Sequence, residues 1–426
     1  MESILIAVAL AILALLGAPL FTVFGAASML AFASQGIDTS VIMVDLNRIA
    51  TNPTLVAIPL FTFAGYMLAE SKAPIRMVNL ARSLVGTIPG GLAVVALLTS
   101  ALFTAFTGAS GVTIIALGGL LYPILLQERY PEKFSLGLIT TTGSLGLLFP
   151  PSLPIILYAM ISSISIDKLF AAGLLPGVLL VVLLTVYCVR QGRKFDLPRH
   201  PFVWANVRSS LRAAIWEIPL PILVVGGIYG GVFTATEAAA VTAFYVLIIE
   251  VFVYRDLKLF TDVPRVMKES MALVGAVVMI IGVAMGLTNY LIDQEVPNKL
   301  FDLTQQFISS PTMFLVVLNC FLIIVGMMMD IFSAIIVVVP LIKPIAEAYG
   351  IDPVHLGIIF LANLEIGYLT PPVGLNLFIS SLRFNKPVFT VVRATLVFIG
   401  ILLVALVVIT YVPSLSLALV RGMNVK

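Results

Sequence analysis

The sequence predicts an all-α polytopic membrane protein built from two structural repeats, each a re-entrant hairpin followed by a broken helix. Three observations carry this. First, hydrophobic residues make up 60% of the 426 positions and charged residues 11%, against about 25% charged in a soluble domain; mean hydropathy is +1.14. Second, apolar runs close to the ~20 residues that cross a bilayer recur along the chain. Third, two of these runs are interrupted alike: Gly137–Ile156, GLITTTGSLGLLFPPSLPII, and Gly357–Phe378, GIIFLANLEIGYLTPPVGLNLF. Both hold G-x-x-x-P-P, at Gly146–Pro151 and Gly367–Pro372, and Pro371 follows Pro150 by 221 residues (371 − 150), about half the chain.

Proline lacks an N–H, so each Pro-Pro pair strips carbonyls one turn earlier of their partners. Within a bilayer, opened backbone persists only where it is buried in protein or lines a wet cavity. A single copy reads better as an ordinary Pro/Gly kink. Two copies at matching places in two halves point to a transporter binding site.

Each element follows from its residues. Residues 4–33 are almost wholly apolar with a Gly17-Ala18-Pro19 break, giving one long kinked helix or two short ones. MESILIAVAL lacks a basic n-region and a small-residue cleavage site, so it reads as the first span. Residues 36–52, with Asp38, Asp45 and Arg48, suit an interfacial segment. Residues 53–69 are the next apolar run, and Lys72, Arg76 and Arg82 follow as a basic segment. The first hairpin contains FTAFTGASGVTIIALGG, and the polar connector QERYPEKF leads to the first broken helix and a span at about 169–189. Arg190–Arg212 sets six Lys/Arg against Asp196 alone, which marks a cytoplasmic linker. Residues 214–232 cross back to GGIYGGVFTATEAAAV, where Thr234 or Thr236 caps a helix with Glu237 in its first turn; a site role for Glu237 is the alternative. Spans at 238–254 and 271–291 follow, then 311–328 with GMMMDIFSAIIVVVP as the second hairpin, the second broken helix, and a span at about 391–412.

The chain therefore divides into N-terminal scaffold helices (1–52), a first repeat (53–189), the basic linker (190–212), and a second repeat with further scaffold helices (213–426). Inverted repeats are the expectation, with the side of the N-terminus open. A net charge of +3 carried in loops implies no nucleic-acid partner. Cys188 and Cys320 sit in apolar runs and read as buried, inert thiols.

The motifs GLITTTGSLGLLFPPS (Gly137–Ser152), GGIYGGVFTATEAAA (Gly226–Ala240) and IDPVHLGIIFLANLEIGYLTPPVGLNL (Ile351–Leu377) resemble those of the large membrane subunit of TRAP (tripartite ATP-independent periplasmic) transporters, the DctM family. The resemblance spans essentially the whole chain. It implies an inner-membrane protein of a bacterium or archaeon, not an enzyme, that works with a separate small membrane subunit and a periplasmic substrate-binding protein. It implies Na⁺-coupled import of an organic anion, a carboxylate such as sialic acid or a C4-dicarboxylate, by an elevator motion among membrane lipids. It places the sodium sites where each hairpin tip meets its broken helix. On this chain the first site falls on Thr107, Gly108, Ser110, Thr141, Gly143, Ser144 and Phe149. The second falls on Gly326, Asp330, Ser333, Gly367, Thr370 and Pro371.

The residue types agree with that placement. Na⁺ takes oxygen ligands, and unwound backbone, Ser/Thr hydroxyls and half-helix C-termini supply them. Opposing half-helix N-termini suit an anion, which nominates Pro150, Pro151, Ser152, Pro372 and Asn376 for substrate. The alternative for each Ser and Thr is a bond to its own i−4 carbonyl. Asp330 reads either as a helix cap or as the charge that organises the second site. Glu365 is a supporting residue near the aqueous end of its helix, His355 a capping or surface residue, and Met327–Met329 adaptable packing. Arg48 and Arg383 are the nearest cations to the apolar runs. Two rival functions stand further off. Gly108-Ala109-Ser110-Gly111 fits the G-x-S-G of an intramembrane serine protease, but the base would have to be His200 or His355. An ATP-driven permease subunit would have to borrow its ATPase, since no GxxxxGK[ST] loop is present.

Overall fold

The computed structural model describes residues 9–10, 12–13, 18–51, 53–199 and 201–422. Among them every regular element is helical. Among the described residues, seven helices are long and apolar enough to cross a membrane, and an eighth span arises if one pair bent by 43° counts as a unit. The expected all-α polytopic fold is thus observed.

Helices α1 (Leu20–Ser34), α2 (Val41–Ala50), α3 (Ala57–Glu70), α12 (Ala235–Val253) and the long α13 (Asp262–Asp293) pack together. Small residues set the approach of α13 to its neighbours: Gly282 lies under Leu46, Gly286 under Ile42, and Ser28 donates to the Val283 carbonyl at 3.1 Å. The residues 4–15 half of the first apolar run, Gly17 included, falls largely outside the described residues.

The rest builds around two units. The first is the hairpin α5 (Gly91–Thr107) and α6 (Ser110–Gln127), followed by α7 (Glu132–Thr142), a 3₁₀ turn (Leu145–Leu148) and α8 (Leu153–Ser162). The second is the hairpin α15 (Pro311–Met328) and α16 (Ile331–Ala348), followed by α17 (Pro353–Gly367), an irregular loop and α18 (Leu375–Phe384). The Pro150–Pro151 and Pro371–Pro372 bonds are both cis. Starts are written locally: Ser310 accepts from the Met313 N–H, and Asp352 from Val354 and His355. Thr234 and Glu237 form a reciprocal capping box on α12, so the capping role of Glu237 is the one realised.

The first halves of both broken helices are enclosed on every side, from Phe134 to Thr142 in α7 and from Val354 to Gly367 in α17. A helix apolar all round belongs in a core. The glycines that open the two interrupted runs explain how neighbours come so close: a Cβ on Gly137 would overlap the Ala394 carbonyl of α19 (Val388–Tyr411), and one on Gly357 would lie 2.6 Å from the Tyr158 ring in α8. The units also exchange their second halves. Helix α8 packs on α16 of the second hairpin, while α18 packs on α6 and α7 of the first unit. Thr140 donates to Ser380 at 2.9 Å across that exchange. Helix α9 (Ile166–Lys194) touches α5 and α17 and so braces both units.

Helix α4 (Ala73–Val85) joins α3 to the first hairpin. Its Arg76 is not the free cation of a basic segment. It donates to Glu217, Glu250 and Asp256, and its guanidinium lies 3.7 Å from the Tyr254 ring centre. Burial opposes the Arg76 charge, but the Asp256 hydrogen bond and the Glu217 and Glu250 carboxylates raise its pKa above the usual value. Two further expectations are corrected. Cys320 is exposed on the outer face of α15, whereas Cys188 is buried as expected. His355 is a core residue, 2% exposed, with its ring nitrogens 3.2 Å from Ser416 Oγ and the Thr410 carbonyl. Both partners lie more than fifty residues downstream, which is why a helix-start position looked like surface.

Candidate functional site: two hairpin tips on two helix breaks

In the first unit, α5 ends because Gly108 adopts a left-handed φ of 63° and its N–H returns to the Thr104 carbonyl at 2.8 Å. Ser110 then restarts the chain as α6, which contains a π turn at Ile114–Gly118 ahead of Pro123. The tip sits on the break of the neighbouring helix. A Cβ on Gly143 would lie 3.3 Å from the Ser110 carbonyl oxygen, and one on Gly146 would overlap the Ala101 carbonyl. Only glycine permits this backbone contact.

Hydroxyls bridge the seam. Thr104 Oγ1 donates to the Gly143 carbonyl at 2.9 Å and lies 2.8 Å from Thr113 Oγ1, with Thr107 Oγ1 at 3.5 Å from the latter. A hydroxyl carries one proton, so the order runs from Thr113 to Thr104 to Gly143, leaving oxygen lone pairs along the row. Thr141 Oγ1 is buried and has no partner. Ser144 Oγ turns back to the Thr141 carbonyl at 3.4 Å. Phe149 contributes backbone alone: its N–H bonds Gly146 and its ring lies against Gly177 of α9. Of the seven residues expected here, six gather at the tip–break contact and the Phe149 ring points elsewhere. Thr104 and Thr113 complete the group and were not selected from sequence, although the small-polar stretch contains both.

The second unit makes the same contact by other means. Gly326 of α15 and Gly367 of α17 meet backbone to backbone, with a Cβ on Gly367 2.5 Å from the Gly326 main chain. The Gly374 N–H donates to the Met327 carbonyl at 3.1 Å, tying the loop after the break to the tip. Asp330 is the N-cap of α16. It accepts from the Phe332 and Ser333 N–H groups at 3.0 Å each and from the Ser333 hydroxyl. The Tyr368 hydroxyl accepts the Ile331 N–H at 2.6 Å, a partner not selected from sequence. Thr370 donates to its own i−4 carbonyl, Ile366, at 2.9 Å. Pro371 and Pro372 are exposed, whereas Pro150 and Pro151 are buried.

Glu365 lies two residues before the end of α17 but is not near water: it is 1% exposed and neither carboxyl oxygen has a partner. The Asn363 amide N–H₂ group donates to Asn319 Oδ1 at 2.6 Å and to the Ile359 carbonyl, while its own oxygen is buried without a partner.

The residues nominated for substrate separate into two kinds. Ser152, the N-cap of α8, and Asn376, in the first turn of α18, are buried with an oxygen each lacking a partner. The Asn376 amide reaches the Thr140 carbonyl of the other unit at 3.4 Å. Pro150 instead borders a cleft of about 400 Å³ formed by apolar residues such as Leu98, Ala101, Phe149 and Val225, a poor lining for an anion. Arg383 is committed to the Ile115 carbonyl at 3.1 Å, and the Arg48 side chain lies outside the described residues. Since both His355 ring nitrogens are taken, that histidine does not pair with Ser110; His200 lies outside the described residues.

With this geometry in view, comparisons with known proteins converge. The family model for the DctM component of tripartite ATP-independent periplasmic transporters matches residues 7–415. The C4-dicarboxylate TRAP transporter large permease protein DctM of Pseudomonas aeruginosa is 39% identical over 399 residues, 93% of this chain and 92% of that protein. The protein of the same name from Rhodobacter capsulatus is 37% identical over 380 residues, 86% of each chain. Relatives named for isethionate, ectoine and 2,3-diketo-L-gulonate are 34, 30 and 32% identical. Among solved structures, the YdaH transporter of Alcanivorax borkumensis superposes with a TM-score of 0.62 over 90% of this chain and 88% of its own, at 14% identity, a likeness of fold alone.

Proposed function

Because the chain belongs to the DctM family of tripartite ATP-independent periplasmic transporters, as a large permease subunit, we propose that it couples inward Na⁺ movement to the import of an organic anion. The observation that carries this reading is the pair of hairpin tips, each seated on a helix break beside oxygens that keep free lone pairs. Such groups suit a hard, oxygen-seeking cation carried as cargo. Thr107, Gly108, Ser110, Thr141, Gly143 and Ser144, joined by Thr104 and Thr113, would hold one Na⁺. Gly326, Asp330, Ser333, Gly367, Thr370 and Pro371 would hold another. Ser152 and Asn376, at the starts of two half-helices, would meet the anion.

The substrate class is a carboxylate. The names of the Pseudomonas and Rhodobacter relatives favour a C4-dicarboxylate over sialic acid. The chain would work in the inner membrane with a separate small membrane subunit and a periplasmic binding protein. Both hairpins and broken helices would move as an elevator against α1–α3, α12 and α13, the two units being inverted repeats joined by the basic linker on the cytoplasmic side. The test is uptake by proteoliposomes holding this chain and its small subunit, with the binding protein added outside. A labelled C4-dicarboxylate should enter only when that protein is present, and unlabelled C4-dicarboxylate should compete better than sialate, isethionate or ectoine. Full-rate uptake without the binding protein would overturn the assignment of partners, and competition by sialate alone would overturn the substrate class.

A further inference from the structure

The end of α9 and the segment after it carry a feature that transport does not use. Arg190, Arg193, Lys194, Arg199, Arg208 and Arg212 share the stretch with one acid, Asp196. None of the six lies within 4.0 Å of a carboxylate among the described residues, whereas Arg76, Arg82 and Arg265 are all paired. Helix α10 (Trp204–Ala213) lies within it and rests on α4, with Val207 and Ala214 buried beneath. Residues three and four apart share a helix face, so Trp204, Arg208, Leu211 and Arg212 form one exposed stripe that runs beside Val207. Trp204 is 69% exposed, Phe202 52% and Trp216 45%. Such a face fits neither bulk water, which it would meet with Trp, Phe and Leu, nor hydrocarbon, which would strip unpaired guanidinium groups of solvent. It fits the headgroup layer, where aromatic rings with a polar edge collect and arginine stems lie along apolar chains with their heads at phosphates.

We propose that α10 and its flanks form a binding site for anionic phospholipid headgroups of the surrounding bilayer, with Arg208 and Arg212 on the lipid phosphate and Trp204 among the upper acyl chains. Guanidinium matches phosphate with two parallel hydrogen bonds. The uncompensated charge of the stretch selects anionic over zwitterionic lipid. The proposal does not depend on the coupling ion or the substrate.

Trp204 and Trp216 are the two tryptophans of the chain, so tryptophan emission of the full-length protein reports on this segment alone. The experiment compares quenching in nanodiscs containing small, equal fractions of brominated phosphatidylglycerol or brominated phosphatidylcholine. Phosphatidylglycerol should quench more steeply, by about twofold or more at low salt, and the difference should shrink as salt is raised. The double variant Arg208→Gln/Arg212→Gln should lose the preference while keeping its emission maximum. Equal quenching by both lipids in the wild-type chain overturns the proposal. Quenching by neither also overturns it, placing the segment in water or against a protein. A folded double variant that keeps the full preference overturns the roles given to the two arginines. If that variant does not fold, the wild-type lipid comparison and its salt dependence still decide.

Discussion

The two hairpin–break units make one contact with different chemistry. In the first, the seam is sewn by side chains: Thr113, Thr104 and the Gly143 carbonyl form a hydroxyl row, and the Pro-Pro loop is buried. In the second, the seam is backbone against backbone at Gly326 and Gly367, a carboxylate caps the returning arm, and the Pro-Pro loop is exposed. The offset of 221 residues aligns Asp330 with Ala109, each the N-cap of its returning helix, and Glu365 with Ser144. One unit therefore has neutral groups where the other has acids. Equivalent folds need not be equivalent sites, and each difference can be probed separately.

The largest effect is expected where both units depend on glycine. Gly367→Ala puts a Cβ 2.5 Å from the Gly326 main chain, which cannot retreat as a side chain would. Overpacking of this sort costs roughly 1–3 kcal/mol, and uptake should fall at least about tenfold; Gly146→Ala should do the same in the first unit. Wild-type uptake by either variant would show that the tip does not need to close on the break. Asp330→Asn should come next. It keeps an acceptor for the Phe332 and Ser333 N–H groups but removes the charge, so stability should drop by less than the ~1 kcal/mol of a lost cap while the Na⁺ concentration for half-maximal uptake rises several-fold. An unchanged sodium requirement would leave Asp330 as a cap alone.

Thr104→Val should be milder than Asp330→Asn in sodium dependence but dearer in stability. It leaves the Gly143 carbonyl unpaired in a buried seam, a loss of about 1–3 kcal/mol, read as a lower melting temperature. Thr370→Val should be the smallest. Its hydroxyl already bonds the Ile366 carbonyl, so if Thr370 serves the cation site through its main-chain oxygen alone, uptake should change less than about twofold; a large loss would make its hydroxyl a ligand.

Much of this was legible in the sequence because it is local. The Pro-Pro pairs and the caps at Thr234 and Asp330 are each fixed within a few residues, and local patterns report them. What escaped joins distant segments. Thr104 meets Gly143 across 39 positions and Thr140 meets Ser380 across 240, so neither the hydroxyl row nor the exchange of half-helices has a sequence period. The same reason hid the burial of His355 and Glu365 and the gathering of Glu217, Glu250 and Asp256 around Arg76. Phe149 was named for its position in a motif, and it is its backbone that lies at the seam.

The most direct test of two cation sites at two seams is the sodium dependence of uptake in proteoliposomes holding the complete transporter, with wild type, Thr104→Val and Asp330→Asn side by side. An inward Na⁺ gradient should drive accumulation in the wild type with a Hill coefficient above one, and each variant should shift the curve independently of the other. Undiminished uptake with Na⁺ absent from both sides, or a Hill coefficient of one that neither variant alters, would contradict the coupling of transport to sodium at these seams.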